Sequence, residues 1–292
     1  MRQKTVNEYI KGKFGGKLYK IALNAGFTCP NRDGSLGNRG CIFCSGSGSG
    51  DFSEDSGLSI TEQLELGKRK VESKMSRNPG GYIAYFQAFT NTYAPVEKLK
   101  SVYMEAVKHP EVRIVSIATR PDCLGDDVLD LLSEINRIKP VWVELGLQTI
   151  HEKTSEYIRR GYPLKVYDKA VRNLRVRGIE VITHVILGLP YESREEMLET
   201  VKYVGMSGAD GIKLQLLHVL KGTDLAEEYL NGKFRCLTLE EYAELIRDAL
   251  EVLPENIIIH RITGDGDKKI LIAPEWSGDK KRVLNTLKEY LK

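Results

Sequence analysis

The sequence has 292 residues, of which 41% are apolar, and its 43 basic and 40 acidic residues give a formal net charge of +3. This composition is typical of a globular chain that can form a core, and it excludes disorder over most of the length. No run of about 18 apolar residues is present, so we expect no membrane span. The first residues lack the apolar segment of a secretory signal, and the five cysteines are an odd number. We therefore expect a reducing compartment, the cytoplasm.

Basic residues are concentrated at the two ends of the chain. Residues 1–20 contain six basic residues and one acidic residue, and residues 279–292 contain five and two. Such ends are compatible with binding to a polyanion such as RNA, or with two helices that simply face solvent. On charge alone the second interpretation is favoured. Residues 1–18 are interpreted as a basic N-terminal segment that precedes the folded domain.

Short apolar strand patterns alternate with helical patterns along the chain. The first predicted strand, Lys20–Leu23, is followed by a predicted helix over Ile60–Met75. The later predicted strands are Tyr82–Phe86, Val112–Ala118, Val141–Leu147, Glu180–Leu187 and Gly211–Leu217. The helices predicted between and after them begin at Pro95, Asp126, Lys165 and Ser193, and Glu196 completes a capping box with Ser193.

Six strands that alternate with helices predict a parallel sheet with right-handed crossovers. The pattern fits an open doubly wound sheet or a partial barrel. Alternation places Glu144 on one face of its strand and Lys213 and Gln215 on one face of theirs, with apolar residues on the opposite faces. A polar face of this kind suits the lumen of a barrel better than a sheet covered by helices on both sides.

We therefore predict an α/β fold in which residues 19–225 form a partial (β/α)6 TIM-like barrel. Residues 226–292 are predicted to form a small α-rich C-terminal extension, in which two helices flank a short strand, Ile257–His260.

Three cysteines are clustered in the loop after the first strand. Cys29, Cys41 and Cys44 have the spacing C-x11-C-x2-C, in a segment rich in glycine. A structural zinc site and a complete [4Fe–4S] cluster each normally take four protein ligands, and no fourth cysteine or histidine lies near. Three thiolates therefore favour a cluster with one iron left open for a ligand. A zinc site completed by a distant residue, and an incidental grouping, are the alternatives.

The cysteine motif and several other stretches of the sequence resemble those of a known enzyme family. The cysteines with Phe43 before the last one are similar to the signature of radical S-adenosylmethionine (SAM) enzymes. The long first spacing resembles the Elp-type and oxygen-independent coproporphyrinogen-oxidase-like branch, and within it the YhcC/YtqA-type family. The resemblance runs from about Lys17 to about Lys280. Its most specific stretches are KLYKIALNAGFTCPNRDG, YFQAFTNTYAP, ATRPDCL, VELGLQT, RRGY, HVILGLPYES and LLHVLKGTDLA.

The resemblance implies a role for each matching residue. Cys29, Cys41 and Cys44 would hold a site-differentiated [4Fe–4S] cluster, whose open iron binds SAM. The residues implied to contact SAM are Phe43 near the adenine, Thr90 near the methionine amino group, Gln148 near the ribose, and Arg160 and His184 elsewhere along the molecule. Two departures from the family pattern bear on these roles. QAFTN replaces the usual Gly-Gly-Glu after the second strand, and Ala118 stands where the branch has a glutamate.

The polar face of the predicted strands adds three lumen residues. Glu144, Lys213 and Gln215 are candidates for holding SAM or substrate, and we place Lys213 and Gln215 among the catalytic residues. Simpler interpretations remain open at this stage. Glu144 and Lys213 are also compatible with a purely structural ion pair, and His184 with a buried core histidine.

The resemblance implies a radical enzyme that reductively cleaves SAM to a 5′-deoxyadenosyl radical. It further implies tRNA as substrate, with carboxymethylaminomethyluridine at the wobble position trimmed to aminomethyluridine. A reductant such as flavodoxin or ferredoxin would be a partner, and no membrane would be involved. The alternatives are a radical enzyme acting on a small metabolite or tetrapyrrole, and a non-enzymatic scaffold whose cysteines hold zinc.

Overall fold

A computed structural model describes residues 2–72, 80–264 and 266–292. Seven strands of this described part form one parallel sheet, and two more form a small antiparallel pair. The strands are β1 (Leu18–Leu23), β2 (Gly81–Phe86), β3 (Val112–Thr119), β4 (Val141–Gln148), β5 (Glu180–Leu187), β6 (Gly211–Leu216), β7 (Val219–Leu220), β8 (Ile258–Arg261) and β9 (Leu271–Ala273). The helices are α1 (Val6–Phe14), α2 (Ile60–Glu72), α3 (Val96–Lys108), α4 (Asp126–Asn136), α5 (Glu152–Tyr157), α6 (Leu164–Val176), α7 (Arg194–Met206), α8 (Asp224–Leu230), α9 (Leu239–Val252) and α10 (Lys280–Tyr290).

The strand order decides between the two predicted architectures. The parallel strands follow one another as β1-β2-β3-β4-β5-β6-β8. A doubly wound sheet reverses direction at a switch point, whereas a barrel adds each strand beside the last. The sheet curls into a half-barrel with helices on its outer side, so the predicted partial TIM-like barrel is confirmed.

The predicted alternation of faces is also confirmed. Leu145 and Leu147 of β4 belong to the core between sheet and helices, whereas Glu144 faces the lumen and contacts Lys213 of β6. The capping box at the start of α7 forms between Ser193 and Glu196. Of the helix predicted over residues 60–75, the part up to Glu72 is observed, and the rest lies outside the described residues.

The short strand predicted within the C-terminal extension has a larger role than expected. As β8 it pairs in parallel with β6, with Gly211 opposite Ile258 and Ile212 opposite Ile259, and so becomes the seventh strand of the barrel sheet. The prediction missed this because only four residues form the strand and helical patterns flank it on both sides. Helices α9 and α10 pack against each other on the outside, and α9 also packs on α7.

The basic N-terminal segment closes one end of the lumen. Ile10 of α1 is buried against a ring of lumen-facing side chains near the amino ends of the strands: Leu18, Ile83, Ile114, Trp142 and Ile182. Thr5, just before the helix, forms a parallel bridge with Ile259 of β8. The segment is therefore part of the folded domain rather than a helix that only faces solvent. Its basic residues lie at the end of the barrel opposite the cysteine loop.

No helix in residues 2–72, 80–264 and 266–292 combines the length and apolar composition that crossing a membrane requires.

Ile10→Ala tests the closure of the lumen by α1. The substitution leaves a cavity under the helix, so we expect the free energy of unfolding to fall by about 2–5 kcal/mol. Denaturant unfolding followed by circular dichroism measures the change. Lys11→Ala, at the exposed neighbouring position, is the control and should stay within about 0.5 kcal/mol of the wild type. Equal stabilities for Ile10→Ala and wild type would contradict the proposed packing.

Candidate active site

The cysteine loop follows β1 at the carboxyl end of the barrel, where TIM-like folds place their active sites. Two turns shape it, because Arg32 N–H donates to the Cys29 carbonyl over 2.8 Å and Cys44 N–H to the Cys41 carbonyl over 3.0 Å. Ile42 N–H donates to the carbonyl of Ile158 over 3.2 Å, which fixes the loop to the segment after α5. Together the three cysteines line one cavity of about 260 Å³.

The environment of the thiols favours their neutral form in the metal-free chain. Burial raises the pKa of Cys41 to about 12, and the neighbouring Cys44 adds to the shift. Burial also raises the pKa of Cys44, although Arg32 opposes the shift. Thiolates are the form that binds metal, so metal binding here has to displace protons.

The separation of the three sulfur atoms is compatible with an iron–sulfur cluster. Three thiolates on one zinc ion, with Zn–S bonds of about 2.3 Å, lie about 4 Å from one another. Among the described residues, the group that brings three metal-binding atoms within 4.8 Å of one another is Glu65, His109 and Glu111, not the cysteines. An iron–sulfur cluster spreads its thiolates over several irons and takes a wider triangle.

Glu144 lies at the centre of the lumen and holds several side chains together. Its side chain is fully buried, and it accepts hydrogen bonds from Lys20 Nζ over 3.1 Å, from Ser116 Oγ over 2.7 Å and from Lys213 Nζ. Burial opposes ionisation of Glu144, but Lys20, Lys213 and His184 hold its pKa well below the usual range. The ion pair between Glu144 and Lys213 that the sequence suggested is therefore present.

His184 connects this charged cluster to Gln215. His184 Nε2 is 2.7 Å from Glu144 Oε2, and Gln215 Nε2 is 3.3 Å from His184 Nδ1. Burial and the nearby charge of Lys213 lower the pKa of His184 to about 4, although Glu144 opposes the shift. A neutral imidazole that donates from Nε2 to Glu144 and accepts at Nδ1 from Gln215 satisfies all three groups.

Arg160 is a buried cation with spare hydrogen-bonding capacity. Only 1% of its surface is exposed, and its guanidinium donates to the backbone carbonyls of Leu147 at 3.1 Å, Thr149 at 2.5 Å and Tyr162 at 3.0 Å. Its Nη2 has no hydrogen-bond partner within the described ranges. Since Arg160 lines the cavity, this arrangement suits an anionic ligand, because an unpaired buried donor is costly.

The remaining predicted cofactor residues also line the cavity. Gln148 lies where β4 shifts register against β5, with a positive φ of 63°, and its side chain folds over Gly146. A Cβ at residue 146 would approach Gln148 Nε2 to 2.6 Å, so glycine there makes room for it. Phe43 and Thr90 line the same cavity, and Thr90 is 2% exposed.

Several residues of the cavity and of the lumen around Glu144 were not singled out from the sequence. Tyr85 of β2 accepts a hydrogen bond from Lys213 at 3.3 Å, and Lys20 of β1 reaches Glu144. Strand alternation was the available signal for both. Asp51, which accepts hydrogen bonds from Ser45 and Ser47, lies in a Gly/Ser-rich loop where the sequence carries no periodicity. Together with Glu144 it supplies the carboxylates that line the cavity within the described part of the chain.

Comparisons with known proteins show the family to which this chain belongs. The family model described as "Radical SAM superfamily" matches residues 34–204, and the model described as "Radical_SAM C-terminal domain" matches residues 209–292. The chain belongs to the radical SAM superfamily. It is 46% identical over 290 residues to the uncharacterized protein YtqA of Bacillus subtilis (strain 168). The match covers 99% of this chain and 89% of that protein. The predicted YhcC/YtqA-type membership is thereby confirmed.

Two more distant similarities concern part of the sequence in one case and the fold in the other. It is 28% identical over 159 residues to the tRNA uridine(34) acetyltransferase of Methanocaldococcus jannaschii, covering 53% of this chain and 29% of that protein. An archaeal Elp3 structure from Methanocaldococcus infernus, with an N-terminal deletion, superposes with a TM-score of 0.69 at 18% identity. It covers 94% of this chain and 63% of the other. The cofactors of this radical SAM chain are a [4Fe–4S] cluster and SAM.

Glu144→Gln tests the central position of this carboxylate. The variant leaves Lys20 and Lys213 without a charged partner in a buried site, so we expect a loss of about 3–5 kcal/mol in the free energy of unfolding. Denaturant titration of the metal-free protein measures it. Glu134→Gln, which breaks the surface pair with Lys100 at 2.9 Å, is the matched control with an expected loss below about 1 kcal/mol. Similar losses in the two variants would contradict the central role of Glu144.

The pH dependence of stability tests the neutral state of His184. An unfolded chain protonates this histidine below its ordinary pKa of 6.5, whereas the folded chain does so only near 4. The folded state should therefore lose stability as the pH falls from about 6.5 towards 4. His184→Gln should flatten this slope in urea titrations, in part only, because burial lowers the pKa of His260 as well. An unchanged slope in His184→Gln would contradict a neutral His184 in the folded chain.

Proposed function

We propose that this radical SAM protein is a tRNA-modifying enzyme that trims carboxymethylaminomethyluridine at the wobble position to aminomethyluridine. The observation that carries the proposal is a pair of lysines, Lys20 and Lys213, that share one buried carboxylate, Glu144, next to the cysteine-lined cavity. Burial lowers the pKa of Lys213 well below its usual range, although Glu144 opposes the shift. A substrate that carries a carboxylate on its reacting side chain would give the two lysines a second anionic partner and stabilise the protonated form of Lys213.

The resemblance to the Elp-type branch supports a tRNA substrate. The relative from Methanocaldococcus jannaschii is a tRNA uridine(34) acetyltransferase by name, and the archaeal Elp3 structure shares the fold. Position 34 is the wobble position of the anticodon. A small side chain on that uridine, once flipped out of the anticodon loop, has the size to enter a cavity of this kind.

The residues present fit the two cofactors. Cys29, Cys41 and Cys44 would hold the cluster. Arg160 Nη2, which has no hydrogen-bond partner among the described residues, suits the carboxylate of SAM. The Gly-Gly-Glu that usually binds the methionine ammonium group of SAM is absent from this chain. Asp51, together with Thr90, would accept the hydrogen bonds of that ammonium group instead. Phe43 offers an aromatic face to the adenine, and Gln148 an amide to the ribose hydroxyls. When bound, these cofactors supply a 5′-deoxyadenosyl radical that abstracts a hydrogen atom from the substrate.

Lumen residues would then position the substrate and exclude water. Lys213 and Lys20, both held by Glu144, place positive charge where the substrate carboxylate enters. Gln215, oriented by His184, presents its amide oxygen to the cavity, where it can accept a hydrogen bond from the substrate amine. The catalytic roles predicted for Lys213 and Gln215 are thus refined to binding and orienting the reacting side chain.

The overall reaction balances without an external oxidant. Oxidation at the methylene between the amine and the carboxylate, followed by hydrolysis, releases aminomethyluridine and glyoxylate and removes two electrons. Cleavage of SAM to methionine and 5′-deoxyadenosine consumes two electrons and one proton. Carboxymethylaminomethyluridine, SAM and water therefore give aminomethyluridine, glyoxylate, methionine, 5′-deoxyadenosine and one proton. A reductant such as flavodoxin or ferredoxin is needed only to start the reaction, and the cytoplasm supplies both reductant and tRNA.

The test is to incubate the anaerobically reconstituted protein with SAM, dithionite and tRNA from a strain that lacks this protein. We expect 5′-deoxyadenosine and glyoxylate in a ratio near one, together with loss of carboxymethylaminomethyluridine in nucleoside mass spectrometry. Binding of the tRNA should weaken steeply with salt. The matched control is tRNA in which the wobble uridine carries no carboxymethylaminomethyl group, and Cys41→Ala should abolish both products.

Other results would exclude parts of the proposal. Release of 5′-deoxyadenosine that does not respond to tRNA would keep the radical chemistry and point to a small metabolite or tetrapyrrole as substrate. A colourless protein that contains zinc and releases no 5′-deoxyadenosine would favour the non-enzymatic scaffold.

A further inference from the structure

Asn31, two residues after the first cysteine of the loop, contacts the sulfur of the second. Its side-chain Nδ2 lies 3.5 Å from Cys41 Sγ and 2.7 Å from the carbonyl oxygen of Arg159. The residue is 5% exposed. One amide nitrogen carries two hydrogens, so it donates to both acceptors at the same time.

The surrounding backbone fixes the orientation of this amide. Gly40, the residue directly before Cys41, donates its N–H to the Asn31 carbonyl over 2.7 Å. This hydrogen bond holds Asn31 next to Cys41. Arg159 adopts a positive φ of 57° and presents its carbonyl to the amide nitrogen. At Gly161, with φ of 82°, a Cβ would lie 3.0 Å from Asn31 Oδ1. The oxygen therefore packs against the glycine and the nitrogen faces the sulfur.

A hydrogen bond to a cluster sulfur affects the two redox states differently. The reduced cluster carries one more negative charge, part of which resides on the cysteine sulfurs, so a donor stabilises it more than the oxidised cluster. Hydrogen bonds to the sulfurs are accordingly among the features that set the reduction potential. The thiol of Cys41 also lies 3.8 Å from the Arg159 carbonyl. Once ligation removes the thiol proton, that carbonyl repels the sulfur, whereas the Asn31 amide donates to both atoms.

We propose that Asn31 is a positioning residue that raises the reduction potential of the cluster held by Cys29, Cys41 and Cys44. Its amide donates to Cys41 Sγ and also to the Arg159 carbonyl, which would otherwise only repel that sulfur. The effect makes the cluster reducible by weaker electron donors. It concerns the cluster alone and therefore holds for any substrate of the enzyme.

Two variants separate the hydrogen bond from the shape of the side chain. Asn31→Asp keeps the shape, removes the N–H donor and adds a negative charge, whereas Asn31→Ala removes the donor without adding charge. Ser35→Ala, at an exposed position of the same loop, is the matched control. Each protein is reconstituted anaerobically, its iron and sulfide are quantified, and the cluster is titrated electrochemically without SAM while the reduced state is followed by electron paramagnetic resonance.

We expect the midpoint potential of Asn31→Ala to be more negative than that of the wild type, and that of Asn31→Asp to be more negative still. Ser35→Ala should match the wild type. Unchanged midpoints in both Asn31 variants would overturn the proposal. A lower cluster content with an unchanged midpoint for the cluster that remains would overturn it too, since that result describes a purely structural residue.

The choice of reductant gives a second, independent measurement. With SAM present, 5′-deoxyadenosine formation by Asn31→Ala should fall at least threefold relative to wild type when reduced methyl viologen is the donor. Titanium(III) citrate, a stronger reductant, should restore most of it. Equal impairment with both donors would contradict an effect on potential. Because this assay needs no tRNA, its outcome is separate from that of the proposed tRNA reaction.

Discussion

The polar side chains inside this barrel are held together by one buried carboxylate, that of Glu144. Taking Lys20 and Lys213 out of water is expensive, and Glu144 is the group that makes their burial tolerable. The same carboxylate fixes the tautomer of His184, which in turn orients Gln215. The lumen is therefore one connected polar network rather than a set of separate side chains. Its two lysines share one carboxylate, so a bound anion would give them a second partner.

The two ends of the barrel are lined by different side chains, apolar at one end and ligand-binding at the other. Near the amino ends of the strands, a layer of Leu18, Ile83, Ile114, Trp142 and Ile182 excludes water and packs under α1. Near the carboxyl ends, the cysteine loop and Arg160 surround the cavity. The charged layer lies between them. This sequence of apolar floor, charged middle and ligand-binding mouth is consistent with a site that protects radical chemistry from solvent.

Much of the fold could be predicted from the sequence, since alternation in β4 and β6 correctly assigned Glu144, Lys213 and Gln215 to one face. The cysteine spacing likewise pointed to a loop that lines the cavity. The predictions that were wrong or incomplete concerned contacts between residues far apart in the sequence. The charge of residues 1–18 concealed the burial of Ile10, and β8 is too short to identify without the edge of β6 beside it. Asn31 and Asp51 lie in irregular loops, where no periodicity shows which side chains face inward.

The closure of the lumen by α1 has a consequence for the order of events during turnover. A chamber closed at its floor exchanges its contents at the other end, beside the cysteine loop. If the substrate is a macromolecule, as proposed above, it would cover that end while it is bound. SAM would then enter before the substrate, and the fragments of SAM would leave after the product. An excess of such a substrate would slow the enzyme, because it would cover a chamber that holds no SAM.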